Sequence, residues 1–393
     1  MPVLKYCTRC IMPDTRPDLA FDSNGVCSAC RWVEYKKTQI DCQQRKNQWK
    51  ELVAWAKGAA NLRKTAYDCV VASSGGKDSH FITALALESG LKPLVVSFEP
   101  TWLTQEGANN LTNNHSLFGG ADLIHVRKNP HVYRQLGKIG FESVGDHEWP
   151  NHAGIFATPI REAVLRNIPL VLWGENPVAE YGSPDEAGRQ NKTLGKRWIE
   201  EYGQRLGLRI SDLVNDRGFS IRDLYPYTLP DDTELERAQI RSEFVGYYFP
   251  WDTVAQTLKA VGLGFEPHRD RWTREIRPVF GSAWEYENVD CHLVVMHDYL
   301  GYVKFGYGRA SAQLSIEVRH GYTTRDKALE MARAIDGRYP DRYVFDLALY
   351  LGMSRADVDM VIDSYTNRNL FAFRGSSPCR DANNNLVPLF ELE

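Results

Sequence analysis

The sequence predicts an α/β protein with a doubly wound parallel sheet, preceded by a small cysteine-rich segment and followed by a mainly helical part. Strand and helix patterns alternate between residues 66 and 178, two C-x2-C pairs lie near the N-terminus, and later patterns are mostly helical. We therefore assign residues 1–32 to a metal-binding segment, 33–65 to a connecting helix, 66–215 to an α/β domain and 216–393 to a C-terminal domain.

Four apolar runs in the α/β domain are predicted strands: Cys69–Ala72, Pro93–Phe98, Asp122–Val126 and Pro169–Trp173. Amphipathic stretches between them predict helices at Asp78–Ser89, Thr104–Phe118 and Gly154–Arg166, whereas residues 127–152 show no clear period. Alternation of this kind is typical of parallel strands with helices on both faces.

The run Ser73-Ser-Gly-Gly-Lys-Asp-Ser79 connects the first strand to the first helix. Such a turn leaves free backbone N–H groups at a helix N-terminus, where the helix dipole also favours anions. Gly75 and Gly76 allow the main chain to curl around a phosphate, Lys77 adds a positive charge, and Ser74 and Ser79 add hydroxyl donors. These features predict a polyphosphate site; the alternative is a glycine-rich turn that only caps the helix.

The loop is not a Walker loop, which would need a hydroxyl residue where this chain has Asp78. The hexapeptide Ser74–Ser79 instead resembles the PP-loop of ATP pyrophosphatases. The resemblance implies that Ser73, Ser74, Gly75 and Gly76 bind ATP together with the catalytic residues. Those catalytic residues are Lys77, Asp78 and Ser79. It also implies Mg²⁺ bridging the phosphate oxygens, with help from Asp78.

Polar residues follow two other predicted strands. Glu99 follows the second, and Gly174-Glu175-Asn176 follows the fourth. Ligands of open α/β sheets lie beyond the carboxyl ends of the strands. We therefore expect Glu99, Gly174 and Glu175 to contact ATP and Asn176 to contact substrate. A turn with a capping role is the alternative for Glu175 and Asn176.

Cys7 and Cys10 form one C-x2-C knuckle, and Cys27 and Cys30 form a second. This spacing is typical of a tetrahedral structural zinc site, although an iron–sulfur cluster, a redox pair or unrelated buried cysteines are alternatives. The remaining cysteines are scattered, and we expect them to be small buried hydrophobic residues. They are Cys42, Cys69, Cys291 and Cys379.

Composition limits the functional classes. The 47 basic residues do not exceed the 50 acidic ones, so charge does not indicate a nucleic-acid partner. No apolar run approaches the roughly 18–20 residues of a membrane span, and no signal peptide is evident. We expect a cytoplasmic protein that binds neither nucleic acid nor membrane.

The C-terminal part is predicted to close over the crevice and to supply substrate contacts. Amphipathic stretches occur at residues 194–206 and 232–244, and helices are predicted at Thr324–Asp336, Arg342–Leu351 and Arg355–Tyr365, with starts at Thr324 and Ser354. Residues 304–320 combine glycines, aromatic residues and bases without a clean period. Lys304 and Arg309 in this stretch are the candidate substrate contacts.

Several stretches together resemble the N-acetyl sugar amidotransferases of bacterial surface-polysaccharide, O-antigen and flagellin-glycan biosynthesis. They are residues 7–17, 25–30, 73–79, 173–177, 180–182 and 304–311. The resemblance implies ATP-dependent conversion of an acetamido group on a UDP-linked N-acetyl sugar to an acetamidino group, through an O-adenylyl imidate. It also implies that ammonia comes from a partner glutaminase pair resembling the two-subunit synthase of histidine biosynthesis.

The residues themselves also favour an external ammonia source. A cysteine-dependent glutaminase needs an N-terminal cysteine or a cysteine in a Gly-x-Cys-x-Gly turn, but residue 2 is proline and no cysteine has that setting. Two alternatives remain open. One is a PP-loop tRNA-thiolating enzyme with a zinc or iron–sulfur site, and the other is a non-catalytic zinc-bearing scaffold.

Overall fold

The computed structural model describes residues 4–177, 180, 182, 190–203, 206–268 and 277–391. Its centre is a five-stranded sheet of β1 (Cys69–Ala72), β2 (Pro93–Phe98), β3 (Asp122–Val126), β4 (Leu170–Trp173) and β5 (Arg241–Phe244). The strand order is β3-β2-β1-β4-β5, and all neighbouring pairs are parallel. The predicted α/β class with a parallel sheet is confirmed.

Six helices precede β4 in the chain: α1 (Ser28–Gln39), α2 (Cys42–Arg63), α3 (Lys77–Glu88), α4 (Gln105–His115), α5 (Pro130–Val144) and α6 (Trp149–Leu165). Successive strand residues point to opposite faces of the sheet, so their contacts show which helices cover each face. Val71 packs with residues of α2 and α3, whereas Val70 packs with residues of α6. Helices thus cover both faces, as in a doubly wound sheet.

The remaining helices of the described residues are α7 (Lys196–Tyr202), α8 (Ile210–Arg217), α9 (Asp232–Ala238), α10 (Thr253–Gly262), α11 (Arg277–Phe280), α12 (Val294–Phe305), α13 (Arg309–His320), α14 (Arg325–Ile335), α15 (Asp341–Leu351) and α16 (Arg355–Tyr365). A short antiparallel pair, β6 (Phe373–Arg374) and β7 (Ser377–Pro378), follows them. The predicted helix starts are confirmed: Thr324 caps α14, and Ser354 forms a capping box with Asp357 at α16.

The structure corrects several sequence expectations. The stretch 232–244 divides into α9 and β5, so the segment after residue 216 supplies the fifth strand of the sheet. Residues 127–152 contain α5, and residues 304–320 contain the end of α12 and all of α13. The connecting region is two helices, because the chain is extended at Ile40 and Asp41.

Two expectations fall partly outside the described residues: the helix at 194–206, of which α7 is seen, and Tyr181 in the 180–182 motif. Within the part of the chain that the structure describes, no helix is both long enough and apolar enough to span a membrane.

Candidate functional site

The loop between β1 and α3 has the conformation that its glycines permit. Gly75 has a φ of +82°, and a Cβ there would lie 3.0 Å from the backbone nitrogen of Leu111. Both the positive φ and the close approach favour glycine at this position. Gly76 is the N-cap of α3 and provides no side-chain cap. The N-terminus of α3 is therefore not covered by a capping side chain of its own, as an anion site requires.

The three serines of the loop all accept hydrogen bonds from its backbone. The backbone N–H of Ser74 donates to Ser79 Oγ at 3.1 Å, and that of Gly75 donates to Ser73 Oγ at 3.1 Å. Asn114 also donates to Ser73 Oγ, at 3.2 Å. Ser73 and Ser79 are buried, whereas Ser74 is exposed. Ser74 Oγ also accepts from the backbone N–H of Gly76, at 3.3 Å, so all three hydroxyls shape the loop and that of Ser74 belongs to the exposed residue.

Lys77 presents a fixed positive charge at the start of α3. The side chain is buried, and its ammonium group lies 2.7 Å from Asp78 Oδ2 and 3.7 Å from Glu287 Oε1. Burial opposes the charged form, but the carboxylates of Asp78, Glu287 and Glu175 outweigh it and raise the pKa of Lys77. Lys77 is therefore cationic throughout the physiological pH range.

The loop forms one wall of a cavity of about 160 Å³. The opposite wall comes from the segment that precedes α12 and from the first residue of α13. The lining consists of residues 74–78, Asn110, residues 286–290 and Arg309. The C-terminal part therefore does close over the loop, and Arg309 is the predicted substrate contact that the structure places there.

Glu287 connects the two walls of this cavity. Its Oε2 accepts hydrogen bonds from Arg309 Nε at 3.0 Å and Nη2 at 2.6 Å, and from Gln313 at 2.8 Å. Burial disfavours the carboxylate, but Arg309 and Lys77 more than compensate and lower the pKa of Glu287. Glu287 thus holds Arg309 and Lys77 in one charged cluster.

Asp336 fixes the helix end that carries Arg309. Its carboxylate accepts the backbone N–H groups of Gly308, Ala310 and Ser311 at 3.0–3.2 Å, so it neutralises the N-terminus of α13. Burial raises the pKa of Asp336 to about 6, although these hydrogen bonds favour its ionised form. Arg309 therefore projects from a rigid helix end.

The residues after β4 lie near the loop but do not line its cavity. Burial and the charge of Asp78 raise the pKa of Glu175 to about 7, and Lys77 opposes this shift. Gly174 separates Glu175 from β4, and the buried Asn176 donates to the backbone carbonyl of Asn191 at 3.3 Å. Glu175 therefore lies just beyond the carboxyl end of β4, which ends at Trp173.

Two predicted contact residues are engaged elsewhere. Glu99 follows β2, and its carboxylate pairs with Arg127 at 3.0 Å and Lys128 at 3.3 Å, beside a second, larger cavity. Lys304 donates to the backbone carbonyls of Val144 and Gly145, both at 2.9 Å. Neither lines the cavity beside Lys77, and Lys304 has a positioning role at the end of α5.

The cavity is lined by both positively and negatively charged side chains, and this mixture determines which ligands it can bind. Lys77 and Arg309 face the carboxyl groups of Asp78, Glu287 and Asp290. A polyphosphate would meet repulsion there unless a divalent cation accompanied it. Asp78 Oδ1 is buried and has no hydrogen-bond partner among the described residues, so it offers an oxygen ligand of the type that Mg²⁺ prefers. The donor set therefore fits a magnesium–polyphosphate complex.

The four N-terminal cysteines form a buried cluster. Cys7 and Cys30 have their sulfurs 3.8 Å apart, and those of Cys10 and Cys27 are 3.7 Å apart. Four sulfurs around a zinc ion at about 2.3 Å would be separated by about 3.8 Å. The geometry fits one tetrahedral metal site, and the two knuckles converge as the sequence predicts.

The surroundings of the cluster favour the thiolate form of Cys7 and Cys10, whereas hydrogen bonding to Cys10 and burial raise the pKa of Cys27 and Cys30. Backbone N–H groups of Arg9 and Cys27 approach Cys7 Sγ at 3.4 and 3.3 Å, and Arg319 from α13 lies 3.8 Å from Cys10 Sγ. Hydrogen bonds from the other three cysteines hold the pKa of Cys10 well below its usual value, despite burial. Among the other cysteines, Cys69 and Cys291 are buried as expected, whereas Cys42 is exposed at the start of α2 and Cys379 is only partly buried, which corrects the expectation for these two.

Sequence reasoning missed the opposite wall of the cavity. Glu287 and Asp290 lie in an irregular segment without a motif, and no sequence signal connected them with the glycine-rich loop. Burial and the nearby Glu148 raise the pKa of Asp290 to about 6. The one residue of this wall that the sequence does point to is Arg309, the last residue of the Gly-Tyr-Gly-Arg stretch.

The segment that forms this wall lies within a match to a protein-family model. Residues 279–378 match the family model described as LPS biosynthesis protein WbpG-like, C-terminal domain. The match supports a role in LPS biosynthesis, and it includes Glu287, Asp290 and Arg309. No curated protein matches the chain.

Proposed function

We propose that this chain is an ATP-dependent amidotransferase of LPS biosynthesis, which converts an acetamido group of a UDP-linked N-acetyl sugar to an acetamidino group. One observation carries the proposal: the segment matched to the LPS biosynthesis family supplies Glu287 and Arg309, which face Lys77 across the cavity. In this arrangement the glycine-rich loop would bind ATP, and the opposite wall, which lies in the segment matched to the family, would bind the sugar substrate.

The phosphates would lie against the start of α3. The uncapped N-terminus, Lys77 and the hydroxyl of Ser74 provide the donors, and Asp78 provides a ligand for Mg²⁺. The nucleoside would occupy the crevice at the carboxyl ends of β1 and β4, where the strand order reverses, beside Gly174 and Glu175. When bound, Mg²⁺ would neutralise phosphate charge.

The reaction needs activation of a poor electrophile. The carbonyl oxygen of the acetamido group attacks the α-phosphorus of ATP, the bond from that phosphorus to the β-phosphate bridging oxygen breaks, and pyrophosphate leaves. Ammonia then adds to the carbon of the resulting O-adenylyl imidate. The C–O bond breaks, AMP leaves with the former carbonyl oxygen, and the nitrogen loses a proton to give the amidine.

The side chains act by positioning and by stabilising charge. Lys77 lies where negative charge would develop on pyrophosphate, and Glu287 orients Lys77 and Arg309. The proton that the added ammonia loses passes to solvent. The proposal needs no covalent intermediate with the protein.

Ammonia would come from a partner glutaminase pair. Burial raises the pKa of both Cys69 and Cys291, so these thiols are poor nucleophiles, and four other cysteines form the N-terminal cluster. The exposed Cys42 is the first residue of α2, the partly buried Cys379 directly follows β7, and neither lines the cavity. In this proposal the cysteine cluster binds zinc and has a structural role.

The test is product analysis with the purified chain. UDP-linked N-acetyl sugars are incubated with ATP, Mg²⁺ and ammonium at alkaline pH, where more of the ammonium is present as nucleophilic ammonia. We expect AMP, pyrophosphate and a sugar product of slightly lower mass that carries a cationic amidine. Glutamine alone should give no product until a glutaminase pair is added. AMP formation only with tRNA and a sulfur donor would instead support a thiolating enzyme.

A further inference from the structure

A second cluster of potential metal ligands lies at the corner between α5 and α6, apart from the cysteines. Asp146 lies in this corner, His152 is in the first turn of α6, and His297 is in the first turn of α12. One ligand atom from each residue lies within 4.8 Å of the others. The three residues therefore bring together an α/β-domain corner and a C-terminal helix.

The distances fit a small ion with nitrogen and oxygen ligands. His297 Nδ1 lies 2.9 Å from Asp146 Oδ1, and His152 Nδ1 lies 3.6 Å from Asp146 Oδ2. Ligands at about 2.0 Å from a tetrahedral zinc ion would be separated by about 3.3 Å. The two observed distances, which end on different oxygens of Asp146, lie on either side of that value, and the ring centroids of His152 and His297 are 5.1 Å apart.

The ring nitrogen of His152 is the strongest indication of a missing ligand. Its Nδ1 is buried and has no hydrogen-bond partner in the described part of the chain, and Asp146, at 3.6 Å, is too distant to provide one. A buried nitrogen without a partner costs free energy unless a proton acceptor or a metal satisfies it. Coordination to a metal ion would satisfy this atom.

The backbone around the cluster is held in place. Gly145 has a φ of +64°, and a Cβ there would lie 2.9 Å from Lys304 Cε. Lys304 donates to the carbonyls of Val144 and Gly145 and lies seven residues after His297, two turns along the same helix. One face of α12 therefore contributes both a candidate ligand and the contact that fixes the corner next to it.

The neighbouring residues connect this cluster to the cavity wall. Glu148 lies two residues after Asp146, and its backbone N–H donates to Asp146 Oδ1 at 3.0 Å. The thiol of Cys291 donates to Glu148 Oε1 at 3.6 Å, and the adjacent Asp290 lines the cavity beside Lys77. Glu148 thus connects the cluster to the segment that forms the opposite wall of the cavity.

We propose that Asp146, His152 and His297 bind a divalent transition-metal ion of the zinc class. Imidazole and carboxylate ligands suit this class, and three protein ligands leave a coordination position open to water. The side chain of Asp146 is 3% exposed and that of His297 is 27% exposed, so the open side faces solvent at α12. The ion ties α12 to the corner of the α/β domain and thereby holds the wall segment that precedes α12.

The test is metal stoichiometry in the full-length protein after removal of metal by a chelator and reloading with Zn²⁺. We expect about two zinc ions per chain in the wild type, one in the cysteine cluster and one here. His152→Gln and His297→Gln should each bind one ion fewer. His131→Gln, on the exposed first turn of α5, should bind as many as the wild type.

Cobalt substitution distinguishes the two sites independently of the stoichiometry. Co²⁺ bound to thiolates gives an intense charge-transfer absorption that imidazole and carboxylate ligands do not give. We expect the His152→Gln protein to keep the thiolate band, which also reports that it is folded, and to lose the weaker second phase of the Co²⁺ titration. One ion per chain in the wild type, or an unchanged second phase in both histidine variants, would overturn the proposal and leave Asp146 and His297 as an ion pair.

Discussion

Lys77 Nζ lies 3.7 Å from Glu287 Oε1, so the glycine-rich loop and the wall within the segment matched to the LPS biosynthesis family meet through opposite charges. Arg309 binds the other oxygen of the same carboxylate through two N–H groups. This geometry resembles a clamp whose cations are oriented by one acidic residue. The two contacts of Glu287 explain how two distant parts of the chain form the walls of one cavity.

Replacement of Glu287 by alanine should lower ATP-to-AMP turnover roughly 100-fold, because Lys77 and Arg309 would lose the group that orients them. The measurement is pyrophosphate release with saturating ATP, ammonium and acetamido nucleotide-sugar. Glu285→Ala is the matched control, because Glu285 is exposed and does not line the cavity. Equal turnover in the two variants would show that the contact with Glu287 has no part in the reaction.

Lys77→Ala should reduce the same turnover by at least about 100-fold and leave the fold intact, since the lost charge is needed mainly as pyrophosphate leaves. Circular dichroism checks the fold. The control is Lys50→Ala, at an exposed position of α2. Near wild-type AMP formation by the Lys77 variant would exclude a PP-loop mechanism.

Cys27→Ser should remove about one zinc ion per chain and expose the N-terminal segment to proteolysis, because that segment depends on the metal for its structure. Cys42→Ser should retain the metal, since Cys42 is exposed and outside the cluster. Elemental analysis and limited proteolysis are the measurements. Iron with a visible charge-transfer absorption in the wild type would indicate a cluster in place of zinc.

Glu175 predicts a specific pH dependence of stability. Burial and Asp78 raise its pKa to about 7 in the folded state, above the value of about 4.5 for an unperturbed glutamate. Between these values the folded state holds a proton that the unfolded state has released, so this contribution to stability is lost as pH rises. The Tm of Glu175→Gln should therefore rise relative to wild type between about pH 5 and about pH 8. A Tm difference that does not change with pH would refute the assigned shift.

The sequence was sufficient for the centre of the sheet because β1, β2 and β4 are short apolar runs buried on both faces. It missed β5, whose residues Arg241, Ser242 and Glu243 are polar and whose pairing with β4 depends on tertiary contacts. It also missed α5, in which Gly137 and Gly140 interrupt the apolar pattern even though both are buried. Local propensity carries little information at such positions.

The sequence predicts only those parts of the candidate site whose residues are close together in the chain. The glycine-rich loop and the cysteine knuckles have fixed spacings, and their chemistry follows from neighbours a few residues apart. Glu287 joins Lys77 from 210 residues away in the chain, and Asp146 joins His297 from 151 residues away. Pairs of this kind arise from the packing of α12 and its preceding segment, which no short motif specifies.

The central claim is that the acetamido oxygen of the sugar attacks the α-phosphorus of ATP. Its most direct test is to trace that oxygen with an isotope label. The UDP-linked N-acetyl sugar is labelled with oxygen-18 in the acetamido carbonyl and incubated with the chain, ATP, Mg²⁺ and ammonium, and the AMP is analysed by mass spectrometry. If that oxygen attacks the α-phosphorus, the label appears in AMP and is absent from the amidine product. Unlabelled AMP, or ADP and phosphate in its place, would contradict adenylation of the sugar amide.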